Sequence, residues 1–60
     1  MPEITQDHID SATRGLGLAG QSAADLKLTL ELHTPLAAFA SQVIAVAVKA
    51  EQARRAKSAA

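Results

Sequence analysis

Apolar residues recur at helical spacing along most of this chain. From Ile9 to His33, the positions at alternating intervals of three and four are apolar except for the last. In the second half the same spacing joins larger residues: Leu36, Phe39, Val43, Val46, Ala50 and Ala53. Two stripes with this heptad spacing are what two packed helices require. The pattern predicts an all-α fold, an antiparallel helical hairpin in one domain spanning residues 1–60.

Capping signals divide the first arm of this hairpin. Thr5 is a suitable N-cap for a helix near residues 4–14. Ser22 stands three residues before Asp25, which resembles a capping box and predicts a second helix start. The segment between them, residues 15–21, contains three glycines, and each weakens a helix relative to alanine. We expect a glycine-rich joint there.

The dipeptide Thr34-Pro35 is the clearest boundary signal in the chain. Threonine is a good N-cap, and proline is favoured at the first position of a helix. The sequence therefore predicts that the second helix begins at Pro35 and runs to about Lys57. Residues 58–60 are expected to form a frayed tail.

Residues 25–33 carry two conflicting patterns. Leucines alternate with polar residues through this segment, which is the period of a β-strand. The residue types favour helix instead, because leucine, lysine and glutamate are helix formers and Thr29 alone is β-branched. We predict a helix, with a strand as the alternative.

The distribution of leucines around this segment predicts that the chain pairs with a partner. A chain of sixty residues buries only about 60% of the surface that its unfolded form exposes, and this one has no cysteine for a disulfide. One neighbouring helix covers a single stripe, whereas these leucines surround their helix. Leu30 and Val43 are expected in a core shared between chains. The predicted interaction face comprises Leu26, Leu28, Leu30, Leu32, Leu36, Phe39, Val43 and Val46.

Charge is balanced overall but uneven along the chain. Residues 1–32 carry five acidic and two basic side chains, and residues 33–60 carry one acidic and four basic ones. A hairpin would place the acidic N-terminal turn beside the basic C-terminal turn. Zero net charge argues against a nucleic-acid binder driven by bulk charge. The basic residues near the C-terminus are interpreted as a solvated helix end: Lys49, Arg54, Arg55 and Lys57.

Candidate chemical motifs lack the context that their chemistry needs. Residues 15–20 match G-x-G-x-x-G, but a dinucleotide site requires a strand before this motif and a helix directly after it. His8 and His33 are far apart and have no clustered third metal ligand. The catalytic residue types at positions 7–11 share one exposed helical turn. We therefore predict no catalytic residue, no cofactor and no metal site.

The sequence predicts a non-enzymatic helical protein–protein interaction module, in the format of a small adaptor, co-chaperone or assembly subunit. Its partner would be itself, in a homo-oligomer, or a larger protein. The acidic start and the lack of an apolar stretch of about 20 residues predict a cytoplasmic protein without a membrane span. The alternative is a small dimeric DNA-binding regulator in which residues 25–33 pair as an intermolecular β-ribbon.

Overall fold

The computed structural model describes residues 3–59, with the side chain of Ala59 excepted. Three α-helices form this part of the chain, and it contains no strand. They are α1 (Gln6–Leu16), α2 (Ala23–His33) and α3 (Phe39–Ala59), with a short 3₁₀ helix at Leu18–Gly20 between α1 and α2. The predicted all-α class is confirmed, with three α-helices where the sequence predicted a two-armed hairpin.

The start of α1 is fixed by a capping box. The hydroxyl oxygen of Thr5 accepts a hydrogen bond from the backbone N–H of His8, and His8 Nδ1 accepts one from the backbone N–H of Thr5 at 3.1 Å. The imidazole thus takes the place that a glutamate usually holds in this motif. The predicted N-cap at Thr5 is confirmed.

The joint between α1 and α2 begins at Gly17. Its backbone is left-handed, with φ of 62°, and its N–H bonds the carbonyl of Arg14 at the end of α1. Glycine adopts this conformation without the steric cost that a Cβ brings. Gly15 still belongs to α1. The predicted joint over residues 15–21 therefore starts two residues later in the structure.

The start of α2 is capped as the sequence indicates. Ser22 Oγ accepts a hydrogen bond from the backbone N–H of Asp25 at 3.1 Å. Residues 25–33 are helical, so residue propensity prevails over the alternation of the leucines. The β-ribbon that the DNA-binding alternative requires is therefore not what this segment forms.

The predicted start of α3 at Pro35 is wrong. The helix begins at Phe39, and Thr34 is the C-cap of α2, with φ of −55° and ψ of −44°. The Thr34 hydroxyl donates to the carbonyl of Leu30 instead of capping a new helix. The physical reason is the change of direction, because two antiparallel helices need a connection of about 2–5 residues. Residues 34–38 provide this connection.

At its other end α3 is longer than predicted. The helix continues through Ala59, where the sequence predicted a frayed tail over residues 58–60, and Ala60 lies outside the described residues.

Both α1 and α2 pack against α3. The ring of His8 meets that of Phe39 edge-on, with centroids 5.2 Å apart, so α1 starts beside the start of α3. His33 Nδ1 lies 3.2 Å from Ser41 Oγ, so the end of α2 also lies beside the start of α3. Hence α2 is antiparallel to α3, as predicted, whereas α1 runs in the direction of α3. The prediction that the acidic N-terminal turn lies beside the basic C-terminal turn is therefore wrong.

The core lies where the 3₁₀ helix and α2 meet the middle of α3. Leu18, Leu26, Ala47 and Val48 are fully buried there. Partly buried side chains from all three α-helices surround this cluster: Ile9, Ala12, Leu30 and Ile44. Among the residues whose side chains the structure describes, three fully buried ones are large, so most of the leucines lie outside this core.

Candidate interaction surface

The eight residues of the predicted interaction face divide between the interior and the surface. Leu26 is fully buried, and Val43 is 7% exposed. Leu30 is half-buried and packs against the core of its own chain. These three side chains are covered largely within one chain. The other five are exposed: Leu28, Leu32, Leu36, Phe39 and Val46.

Leu28, Leu32 and Leu36 form the first exposed apolar surface, which we call the leucine ridge. Leu28 and Leu32 are 63% and 65% exposed, and residues four apart lie on the same side of a helix. The alternating leucines of α2 therefore separate into an inner pair, which joins the core, and an outer pair. Leu36 is exposed in the turn that follows α2.

A second apolar surface is an open groove of about 520 Å³ between α1 and α3. Ala12 and Leu16 line it from α1, and Phe39, Val43 and Ile44 line it from α3. Leu16 is exposed and was not in the predicted face, although it belongs to the apolar stripe of the first arm. The sequence alone does not show which members of that stripe are buried, because several of them are alanines, which are common on both buried and exposed helix faces.

The third surface is an outward stripe on α3, which we call the α3 seam. It consists of Phe39, Val46, Ala50 and Ala53, all of them exposed. The three intervals of this stripe are seven, four and three residues, the spacing of a coiled-coil seam. The core instead uses Ala47 and Val48, which lie outside this stripe. Much of the heptad stripe predicted for α3 is thus left facing outwards.

A polar cluster holds the second half of α3 to the joint. Glu51 is buried, and its carboxylate bonds the guanidinium groups of Arg54 and Arg55. These hydrogen bonds, with Arg54 contributing most, lower the pKa of Glu51 to about 2. Nη2 of Arg55 also donates to three carbonyls of the joint, those of Leu18, Ala19 and Gln21.

The interpretation of the basic residues as a solvated helix end is therefore wrong for Arg55. Its side chain is 30% exposed and contacts residues 34 to 37 positions earlier in the sequence. Lys49, Arg54 and Lys57 are exposed, as expected. No local pattern could have identified Arg55, because its partners come together only in the folded chain.

The glycine motif lacks the geometry of a phosphate cradle. Its first two residues end α1, Gly17 is the C-cap of that helix, and the last three form the 3₁₀ helix. A dinucleotide site instead offers N–H groups at the start of a helix that follows a strand. The carbonyls of Leu18, Ala19 and Gln21 accept hydrogen bonds from Arg55. This arrangement makes Gly17 and Gly20 parts of the joint, while Gly15 belongs to α1.

The two histidines have separate local roles. His8 completes the capping box of α1, and His33 bonds Ser41 across the α2–α3 turn. Across residues 3–59, no group of three or more histidine, cysteine or acidic side chains is placed to hold a metal ion.

Comparisons with protein-family models, with curated proteins and with solved structures find no match to this chain. In the part of the chain that the structure describes, no helix is long and apolar enough to cross a membrane. The exposed apolar surfaces are the features from which a function can be inferred.

Proposed function

We propose that this chain is a non-enzymatic helical protein–protein interaction module, and that the leucine ridge binds its partner. The supporting observation is that, among residues 3–58, more large apolar side chains are exposed than fully buried. Exposed apolar side chains grouped in patches mark interaction sites, whereas single scattered ones are ordinary. The exposed set is Leu16, Leu28, Leu32, Leu36, Phe39 and Val46, and the fully buried set is Leu18, Leu26 and Val48.

The energetics of the ridge support this role. Burying a leucine side chain completely is worth about 1.5–3 kcal/mol. The fold leaves this energy unused at Leu28 and Leu32, because α2 presents them on the side away from the core. A partner that covers both leucines recovers it at the time of binding.

The geometry of the ridge indicates the kind of partner. Leucines at i and i+4 on one helix face are the anchors by which a helix enters an apolar groove of another protein. Here α2 supplies the helix, and α3 holds it in place through the packing of Leu26 and Leu30. The partner would supply the groove, as in the format of an adaptor, a co-chaperone or a subunit of an assembly.

Site-specific photo-crosslinking in the native host tests this function. A benzophenone amino acid replaces Leu28 or Leu32 in separate variants, and Asp10 on the exposed surface of α1 serves as the control position. We expect discrete crosslinked products from positions 28 and 32, identified by mass spectrometry, and none from position 10.

A second pair of substitutions checks that these products depend on the ridge. Leu28→Lys and Leu32→Lys together should abolish binding of the crosslinked protein while the circular dichroism spectrum stays helical, because both positions are exposed. Crosslinks that are equally strong from position 10, or binding that survives the double substitution, would contradict the proposal.

A further inference from the structure

The α3 seam has a gradient of side-chain size. Phe39, Val46 and Ala53 are spaced by seven residues and decrease in size along the helix. Two copies of α3 packed antiparallel about Val46 would set Phe39 of each copy against the small Ala53 of the other. A parallel pair would place the two phenylalanines against each other, and the two small alanines would face each other across a gap. Close packing of large against small side chains therefore favours the antiparallel pair.

Charge is also separated along the molecule. Residues 3–13 and 30–48, which surround the start of α3, contain four carboxylates and no lysine or arginine. Residues 49–57 of α3 contain four basic side chains and one acidic side chain, a net charge of +3. The two ends lie apart within one chain, since Phe39 and Lys57 are about 27 Å apart along the helix. The charge asymmetry is therefore not neutralised by contact between the two ends of the same chain.

Orientation decides what these charges meet in a dimer. A parallel pair would bring together the exposed basic residues Lys49, Arg54 and Lys57 of both copies. An antiparallel pair would place the basic end of each copy beside the acidic end of the other, which gives two equivalent contacts. Complementary potentials of this kind set the orientation of an interface. The seam and the charges thus favour the same arrangement independently.

We infer that a second copy of this chain covers the α3 seam, with the two α3 helices antiparallel and a two-fold axis at Val46. The inference rests on the proposed interaction function and adds to it one partner and one surface. The dimer displays two leucine ridges, so a partner with two grooves would be bound with higher avidity than by one copy.

Single cysteines test the orientation, because the chain has none of its own. Val46→Cys should form an interchain disulfide, since the two-fold axis brings residue 46 of both copies together. Ala53→Cys alone should not, because its two copies would be about 21 Å apart along the helices, well beyond the roughly 4–7 Å between Cα atoms that a disulfide spans. Ala53→Cys mixed with Phe39→Cys should crosslink. Self-crosslinking of Ala53→Cys would overturn the antiparallel arrangement.

Sedimentation equilibrium tests the dimer itself. We expect twice the chain mass for the wild type at micromolar concentration and the monomer mass for Val46→Glu, whose position is exposed in the single chain. Leu28→Glu, on the ridge, should keep the dimer. A wild type at the monomer mass would overturn the inference, and so would a dimer that Leu28→Glu dissociates and Val46→Glu does not.

The two proposals fail in different ways. A monomeric wild type that still crosslinks through positions 28 and 32 refutes the dimer and leaves the proposed function intact. A dimer with the expected cysteine pattern but no ridge-dependent crosslinks supports the α3 seam and refutes binding through the leucine ridge.

Discussion

Nη2 of Arg55 lies 2.6 Å from the backbone oxygen of Gln21, so a residue late in α3 holds the connection between α1 and α2. The same nitrogen donates to the carbonyls of Leu18 and Ala19. Carbonyls at the end of a helical segment lack the partners that a continuing helix would provide, and Arg55 supplies a donor from outside. Glu51 orients the guanidinium from the other side, at 2.8 Å from Nε. One arginine thus joins α3 to the connection between α1 and α2.

The first prediction concerns this arginine. We expect Arg55→Ala to lower the free energy of unfolding by about 1.5–3 kcal/mol, the contribution of hydrogen bonds made by a charged group. Urea denaturation followed by circular dichroism measures the change. Arg54→Ala is the matched control, because Arg54 also bonds Glu51 but is 60% exposed and should cost less. Equal losses in the two variants would show that the carbonyl contacts of Arg55 add nothing.

The second prediction concerns acid. Arg54 and Arg55 lower the pKa of Glu51 to about 2 in the folded chain, from 4.5 for an unperturbed glutamate. The unfolded chain therefore takes up a proton first, and the stability from this cluster is complete above pH 4.5 and is lost as the pH falls towards 2. Unfolding free energies of wild type and Glu51→Gln should converge over this range.

A matched carboxylate serves as the control for the acid prediction. Glu31→Gln also removes one carboxylate, but from an exposed side chain on α2, and at neutral pH it should change the free energy of unfolding by less than about 0.5 kcal/mol. If the curves of wild type and Glu51→Gln stay parallel between pH 4.5 and about 2, the ionised Glu51 carboxylate does not stabilise the fold.

The third prediction separates the inner and outer leucines of α2. Leu26→Ala should reduce the free energy of unfolding by about 2–5 kcal/mol, because it opens a cavity in a fully buried site. Leu28→Ala, two residues away and 63% exposed, should change the stability of the single chain by less than about 0.5 kcal/mol. The measurement is thermal or urea unfolding at a concentration where the chain is monomeric. A large loss for Leu28→Ala there would place that side chain in the core.

The fourth prediction compares a glycine at the start of the joint with a glycine inside α1. Gly17→Ala should destabilise the fold by about 1–2 kcal/mol, because its φ of 62° is strained for a residue with a Cβ. Gly15→Ala should stabilise it by about 0.5–1 kcal/mol, since Gly15 lies within α1 and a Cβ there meets no atom within 4 Å. Changes of opposite sign in the melting temperatures of the two variants, relative to wild type, would confirm that the joint begins after Gly15. A stabilising Gly17→Ala would contradict the left-handed cap.

Features that depend on neighbouring residues could be predicted from the sequence. The caps at Thr5 and Ser22 act over three residues, and the structure confirms both. The helix at 25–33 could be predicted from propensity despite the alternating leucines. The start of α3 could not be predicted in this way. The signal at Thr34-Pro35 is local, whereas the length of the turn depends on where α2 and α3 pack.

Long-range relationships were not predictable. The direction of α1 relative to α3 follows from the turn at Gly17 and from the contact of His8 with Phe39, which are 31 positions apart in the sequence. The inner and outer leucines could be separated by helical periodicity, but periodicity alone does not say which side meets α3. For the same reason the heptad stripe of α3 did not identify the core, which uses Ala47 and Val48 beside the stripe.

The dependence of α1 and α2 on α3 has a consequence during synthesis. Isolated helices of 11 residues are marginal in water, so these two segments stay largely unfolded until α3 emerges from the ribosome. Translation at about 5–20 residues per second leaves roughly 1–4 s between the synthesis of Leu26 and that of Val48. These two side chains belong to the same buried cluster. In that interval the core leucines are as exposed as the ridge, and the nascent chain is most open to chaperones and to aggregation.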